Sequence, residues 1–355
     1  MPVTDSSPCV PERGHLGPIR TSSVPSKGFL GPIKIAEDVW IVRKLFSLGA
    51  GQTEGLSWLG LRDRVLGMLG DNPLSHPALS TRGNESTKEQ LLEEITRVMD
   101  LVYGESVPFP LDSTMTIIRK DGRLTVHSVV PLDDDLLKEV NKLGEVSLLL
   151  APNLQHWLFL ESWVKAFPKV DVGLVPGAFD EDLEKKMRFL EEHQGKVFLL
   201  NENLKQEEFK NLSTKIGLEG KLLKGAPLSL NEFLFFHPVS GTLIASDSFY
   251  GGYSNAETPT WFARLWFKLT KAGSFRAARL TIYRTSRVIS HGDQEQLIES
   301  ATQILGEWDV NQIAFAHGTS PFNKERKMEA IPKSQSSVAD VYLDCWKNGL
   351  KAVKL

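Results

Sequence analysis

The run Leu148-Leu149-Leu150-Ala151-Pro152-Asn153-Leu154-Gln155-His156-Trp157-Leu158-Phe159-Leu160 decides how the rest of the chain is read. An apolar stretch of strand length stops at a proline, presents Asn153, Gln155 and His156 in close succession, and resumes apolar with aromatic weight. A buried parallel strand delivers polar groups in this way at its C-terminal end, where open α/β sheets place their ligands. The same residues also suit a strand-to-helix turn whose Asn and His satisfy only local backbone. What other segments bring to that strand end is what separates the two.

Working outward, residues 146–151 form the strand, residues 159–167 a helix stopped by Pro168, and residues 170–175 a further strand. Upstream, residues 113–119 and 124–129 alternate as strands around Lys120-Asp121-Gly122-Arg123, whose Asp-Gly is a strong hairpin signal. Pro131-Leu132-Asp133-Asp134-Asp135 then opens a helix to Leu143, with acids at its positive end and Gly144 as the stop. The first predicted strand is 38–43. Thr87 to Tyr103 reads as a helix, with Leu91, Leu92, Ile95, Val98, Met99 and Val102 at helical spacing.

Downstream, residues 180–192 read as a charged amphipathic helix and 197–200 as a short strand. Residues 222–227 and 232–237 read as a strand pair, and 242–245 as an apolar strand that delivers Asp247. Residues 261–271 form an aromatic amphipathic helix covering apolar surface, and 294–305 another helix. Residues 312–318 are a last strand ending in His317-Gly318, and 338–346 a docked final helix. The chain thus divides into a Pro/Ser/Gly-rich flexible tail (1–33), one domain (34–320) with an insertion at about 47–107, and a C-terminal extension (321–355).

Composition narrows the chemistry. The 355 residues are 41% hydrophobic and 24% charged, enough to bury a full core. With a net charge of -3 and basic residues scattered, neither nucleic acid nor an anionic membrane is favoured as partner, which leaves a small-molecule ligand; a protein partner is not identified. Cys9 and Cys345 make no disulfide framework, and no secretory signal or 18-residue apolar span is visible, so a cytoplasmic location is expected. A Gly-x-Ser-x-Gly elbow, a Gly-x-Gly-x-x-Gly after a strand and a Walker lysine are all missing.

Several strands therefore end in metal-ligand or acid/base residues, and convergent strand ends are how a layered α/β fold assembles one site from distant sequence. Met115-Thr116-Ile117-Ile118 with Leu124 to Ser128, Pro131-Leu132-Asp133, Ala151 to His156, Phe235 to Asp247, and Phe315-Ala316-His317-Gly318 together resemble an uncharacterised family with a degenerate metallo-β-lactamase fold. The resemblance covers about residues 34–319. It implies an α/β protein built as a four-layer αββα sandwich with its site at one edge. Active members of that superfamily hold one or two zinc or iron ions through a His-x-His-x-Asp-His loop, a later His, a bridging Asp and a terminal His.

Here that loop is replaced by Asn153-Leu154-Gln155-His156-Trp157, and Trp157 departs from the two adjacent histidines the uncharacterised family usually shows. By position, Asp247 matches the bridging acid and His317 the terminal His, while His237 is a candidate intermediate ligand. His156, His237, Asp247 and His317 would make a first shell for one zinc or iron ion. Such an ion lowers the pKa of a bound water and sets up hydrolysis of an ester, lactone, thioester or phosphoester, with Asn153 orienting substrate and Asp247 and His317 at the reacting centre. Trp157, Tyr250 and His127 are expected to line the substrate cleft, beside a turn at Gly251-Gly252. The alternative is a non-catalytic member, without metal, that binds a small molecule or partner protein in the same cleft.

Overall fold

In the computed structural model the described residues are 29–48, 109–154, 156–176, 187–200, 212–225, 231–249, 294–317, 320–323 and 337–343. Twelve strands among them make two sheets. The first is seven-stranded in sequential order: β1 (Phe29–Ala36), β2 (Val39–Leu48), β3 (Phe109–Lys120), β4 (Arg123–His127), β5 (Glu145–Ala151), β6 (Asp171–Leu174) and β7 (Val197–Leu199). Its first three pairings are antiparallel; β4 to β7 are parallel. The second sheet runs β12 (Phe322–Asn323), β11 (Gln312–Ala314), β10 (Thr242–Ile244), β9 (Phe233–His237), β8 (Glu219–Leu222). Within it β10 and β11 are parallel, the remaining pairs antiparallel.

Strand alternation sorts the apolar side chains into separate cores, and those cores give the layer order. Leu149 of β5 packs with Leu136 and Val140 of α1 (Asp134–Leu143) and with Leu160 and Trp163 of α2 (Leu160–Ala166), on one face of the first sheet. Its neighbours Leu148 and Leu150 face the other way and meet Phe233, Phe235 and Ile244 of the second sheet. On the far side of that sheet, Leu234, Phe236 and Leu243 pack against Leu297, Ala301 and Ile304 of α3 (Gln294–Glu307). The order is helices, sheet, sheet, helices: the four-layer αββα sandwich.

Local chemistry fixes the connections. Asp121 (φ 51°) and Gly122 (φ 75°) adopt the left-handed pair that a two-residue Asp-Gly hairpin needs. Asp133 caps α1 by accepting from the Leu136 amide at 2.8 Å, and its carboxylate also pairs with Lys44. Gly144 closes α1 at φ 156°, where a Cβ would lie 2.3 Å from the Gly122 carbonyl oxygen, so no larger residue fits. One irregularity lies in β5: Leu124 pairs with Val146 but Thr125 with Leu148, so Ser147 is an extra residue that resets which side chains face inward.

Several expected boundaries move. The strand β1 begins at Phe29, inside the stretch expected to be tail; Gly31 and Pro32 concealed it, and as an edge strand it tolerates the proline. The strand expected at 222–227 lies at Glu219–Leu222, and the last expected strand stops at Ala314. Phe322–Asn323, in the expected C-terminal extension, pairs with β11. Arg188–Leu190 is a single 3-10 turn. The predicted helices at 87–103 and 261–271, and most of the insertion, lie outside the described residues. No helix among the described residues is long and apolar enough to cross a membrane.

Candidate metal centre

Parallel pairing brings the site together. The strands β4 and β5 run side by side in one sheet and β10 and β11 in the other, so their C-terminal ends deliver residues 128, 153, 156, 247 and 317. The two sheets are joined at this edge by backbone: the Phe233 amide donates to the Pro152 carbonyl at 2.8 Å, and the Thr114 amide to the Ala316 carbonyl at 2.7 Å. Both contacts are next to a site residue.

Asp247, 2% exposed, stands at the centre. Its Oδ2 lies 3.2 Å from His156 Nε2 and its Oδ1 3.2 Å from His317 Nε2. The two imidazoles are 5.2 Å apart between centroids, and one ligand atom from each of the three residues falls within 4.8 Å of the others. Burial alone pushes the Asp247 carboxyl up. The opposing charge and hydrogen bonds of His156, together with those of His317, outweigh it and hold the group well below the usual carboxylate range.

The donor set fits a transition-metal ion. Ligand atoms on a tetrahedral zinc sit about 3.3 Å apart, close to the two histidine–carboxylate separations here. Two imidazoles and a carboxylate suit zinc or ferrous iron. The outer contacts are of the kind that orient metal ligands. Ser128 Oγ lies 2.6 Å from His156 Nδ1, which fixes the ring so that Nε2 faces Asp247. Ser128 reaches it from a left-handed backbone (φ 59°) at the end of β4, a conformation uncommon outside glycine.

Asn153, expected to orient substrate, links the candidate ligands. Buried at 1% exposure, its amide nitrogen donates to Asp247 Oδ2 at 2.8 Å and to Ser246 Oγ at 2.9 Å, and its Oδ1 accepts from the His156 amide at 2.9 Å. The side chain thus fastens two of the three candidate ligands to each other.

His237 does not join the group. It ends β9, which is antiparallel to β10 with Thr242 opposite His237, so Asp247 lies beyond the other end of that strand pair. His237 instead pairs through Nδ1 with Ser240 Oγ at 2.8 Å; burial lowers its pKa, the charge of Asp38 acting against that effect. His127, expected in the cleft, is 1% exposed on the inward face of β4 with its ring edge-on to Phe235 at 5.7 Å. Burial and the charge of His156 hold it neutral, with its pKa at about 3. Trp157, also expected in the cleft, is partly buried against the helix-side core and donates Nε1–H to the Leu154 carbonyl. Tyr250 and Gly251-Gly252 fall outside the described residues.

Two contributors were not legible beforehand. Ser128 was read as strand, and Glu232 as the first residue of β9. The available signal for Glu232 was an acid abutting the apolar run Phe233-Leu234-Phe235-Phe236. It is completely buried; burial and the nearby charge of Asp247 raise its pKa against the hydrogen bonds it receives.

No known protein-family profile matches the sequence, and no curated protein matches it. Solved structures similar to the chain include metallo-β-lactamases. One from Erythrobacter litoralis, with β-mercaptoethanol in its active site, is 11% identical with TM-score 0.43, over 89% of this chain and 95% of that one. DIM-1, exposed to ceftazidime, is 8% identical with TM-score 0.42 over 89% and 95%. The mono-zinc form of FIM-1 from Pseudomonas aeruginosa is 7% identical with TM-score 0.41 over 90% and 94%. The layer order and the site described above stand on the chain's own cores and distances.

Proposed function

We propose that this chain is a mononuclear metal-dependent hydrolase, its ion held by His156, Asp247 and His317, acting on an ester, lactone, thioester or related small organic substrate. One observation carries the reading: three ligand-type side chains from three strand ends come within 4.8 Å of one another. An ion bound there supplies Lewis-acid chemistry, lowering the pKa of water toward neutrality and polarising a carbonyl or phosphoryl oxygen. Three protein ligands leave coordination positions open, as catalytic zinc sites do, whereas structural sites are closed by four.

The chain's own residues divide the remaining work. Asp247 holds negative charge between two imidazoles, Ser128 fixes the ring of His156, and Asn153 keeps the Asp247 carboxylate aligned. The donor set suits one ion rather than two. The test is a panel of aryl esters, lactones and thioesters assayed with the full chain loaded with zinc or ferrous iron. Turnover that disappears on chelation, returns with metal and is lost in Asp247→Ala supports the reading. Absence of turnover of every class, with or without added metal, would point to the non-catalytic binding alternative instead.

A further inference from the structure

We infer that Glu232 is the positioning residue for Asp247, a carboxylate outside the ligand set that clamps the turn carrying the central ligand. Its oxygens grip that turn on both sides of Asp247: Oε1 accepts from the Ser246 amide at 2.8 Å and from Ser248 Oγ at 2.6 Å, and Oε2 accepts from the Ser248 amide at 2.8 Å. N–H groups two residues apart, aimed at one buried carboxylate, form charge-assisted bonds, about twice as strong as neutral ones. The residue is 0% exposed, so water does not compete for these contacts.

Its place in the chain makes the clamp reach further. The next residue, Phe233, donates its amide to Pro152, whose neighbour Asn153 holds Asp247 and His156. Residues 232 and 233 thus fasten two of the three ligand-bearing loops, one through a side chain and the other through backbone. From the opposite side, Tyr342 donates its hydroxyl to Ser248 Oγ at 2.9 Å, which in turn donates to Glu232. That ties the C-terminal segment to the same turn. The effect on metal rests on the hydrolase reading above; the clamp itself does not.

The experiment compares full-length wild type with Glu232→Gln, which keeps shape and volume but turns one acceptor into a donor facing N–H or O–H groups. Amide hydrogen exchange is read at Ser246 and Ser248 in the metal-free protein, and affinity and visible absorption in a cobalt(II) titration. Expected are exchange at those two amides at least about tenfold faster than wild type against unchanged exchange in the core of β9, and cobalt affinity down by about 10- to 100-fold with a shifted absorption band. Unmoved exchange overturns the clamp. Faster exchange with cobalt affinity and band unchanged overturns its role in positioning the ligand.

A wild type that binds no cobalt removes the metal reading alone, and the exchange comparison still decides the clamp. Should Glu232→Gln not fold, Ser248→Ala, which removes only the hydroxyl contact, is read the same way with an effect of about threefold expected; no change there overturns the inference.

Discussion

Asp247 is a buried carboxylate whose two oxygens face two different imidazoles, and Asn153 holds one of those oxygens in place. Asn153 is the clearest case: replacing it by Ala removes a donor to Asp247 and an acceptor for the His156 amide at once. Asn153→Ala is expected to cost about 1–3 kcal/mol in urea unfolding and about 10- to 100-fold in zinc affinity by chelator competition. A variant that keeps wild-type affinity contradicts its role. His127 gives a prediction in pH. Folded, its pKa is about 3 rather than 6.5, through burial and then the charge of His156. The unfolded chain takes up that proton near 6.5 and the folded one does not until about 3, so the contribution is full above 6.5 and is lost as pH falls through that window. His127→Leu should therefore narrow the stability difference between about pH 7.5 and pH 5 by about 2 kcal/mol in denaturant titrations. An acid limb identical to that of the wild type would count against it.

At the scale of elements, the site depends on strand ends held in register, and one glycine illustrates how tightly. Gly144 sits where the chain leaves α1 and enters β5 against the Gly122 carbonyl, with room for no side chain. Gly144→Ala is expected to lose about 1–3 kcal/mol in urea unfolding through strain at positive φ and that clash, and an unchanged midpoint would refute the packing described. The features legible in the sequence were those with local signals. The Asp-Gly hairpin, the acid-capped helix and the apolar strand before Asn153 each announce themselves within a few residues. Asp247 and His317 were found because each follows a short apolar strand. His237 looked equivalent to them, yet strand direction, which no local pattern carries, sends it to the opposite end of the sandwich. Glu232 gained its importance from the same antiparallel pairing, and Ser128 from a backbone conformation that a serine does not advertise. The extra residue at Ser147 was equally silent, since it shifts the inward-facing phase without breaking the apolar run.

At the scale of the molecule, two sheets pack face to face through Leu148, Leu150, Phe233, Phe235 and Ile244, and the backbone contacts at one edge close them over the ligand group. The parallel halves of both sheets point their C-terminal ends at that edge, which is why residues 156, 247 and 317 meet across long stretches of sequence. The proposed function requires this meeting point to hold one metal ion. Its most direct test is elemental analysis of full-length protein purified without added chelator, beside the Asp247→Ala/His317→Ala double variant. About one equivalent of zinc or iron is expected in the wild type and under about 0.1 in the double variant. Under about 0.1 equivalent of any transition metal in the wild type, unchanged in the variant, would contradict it.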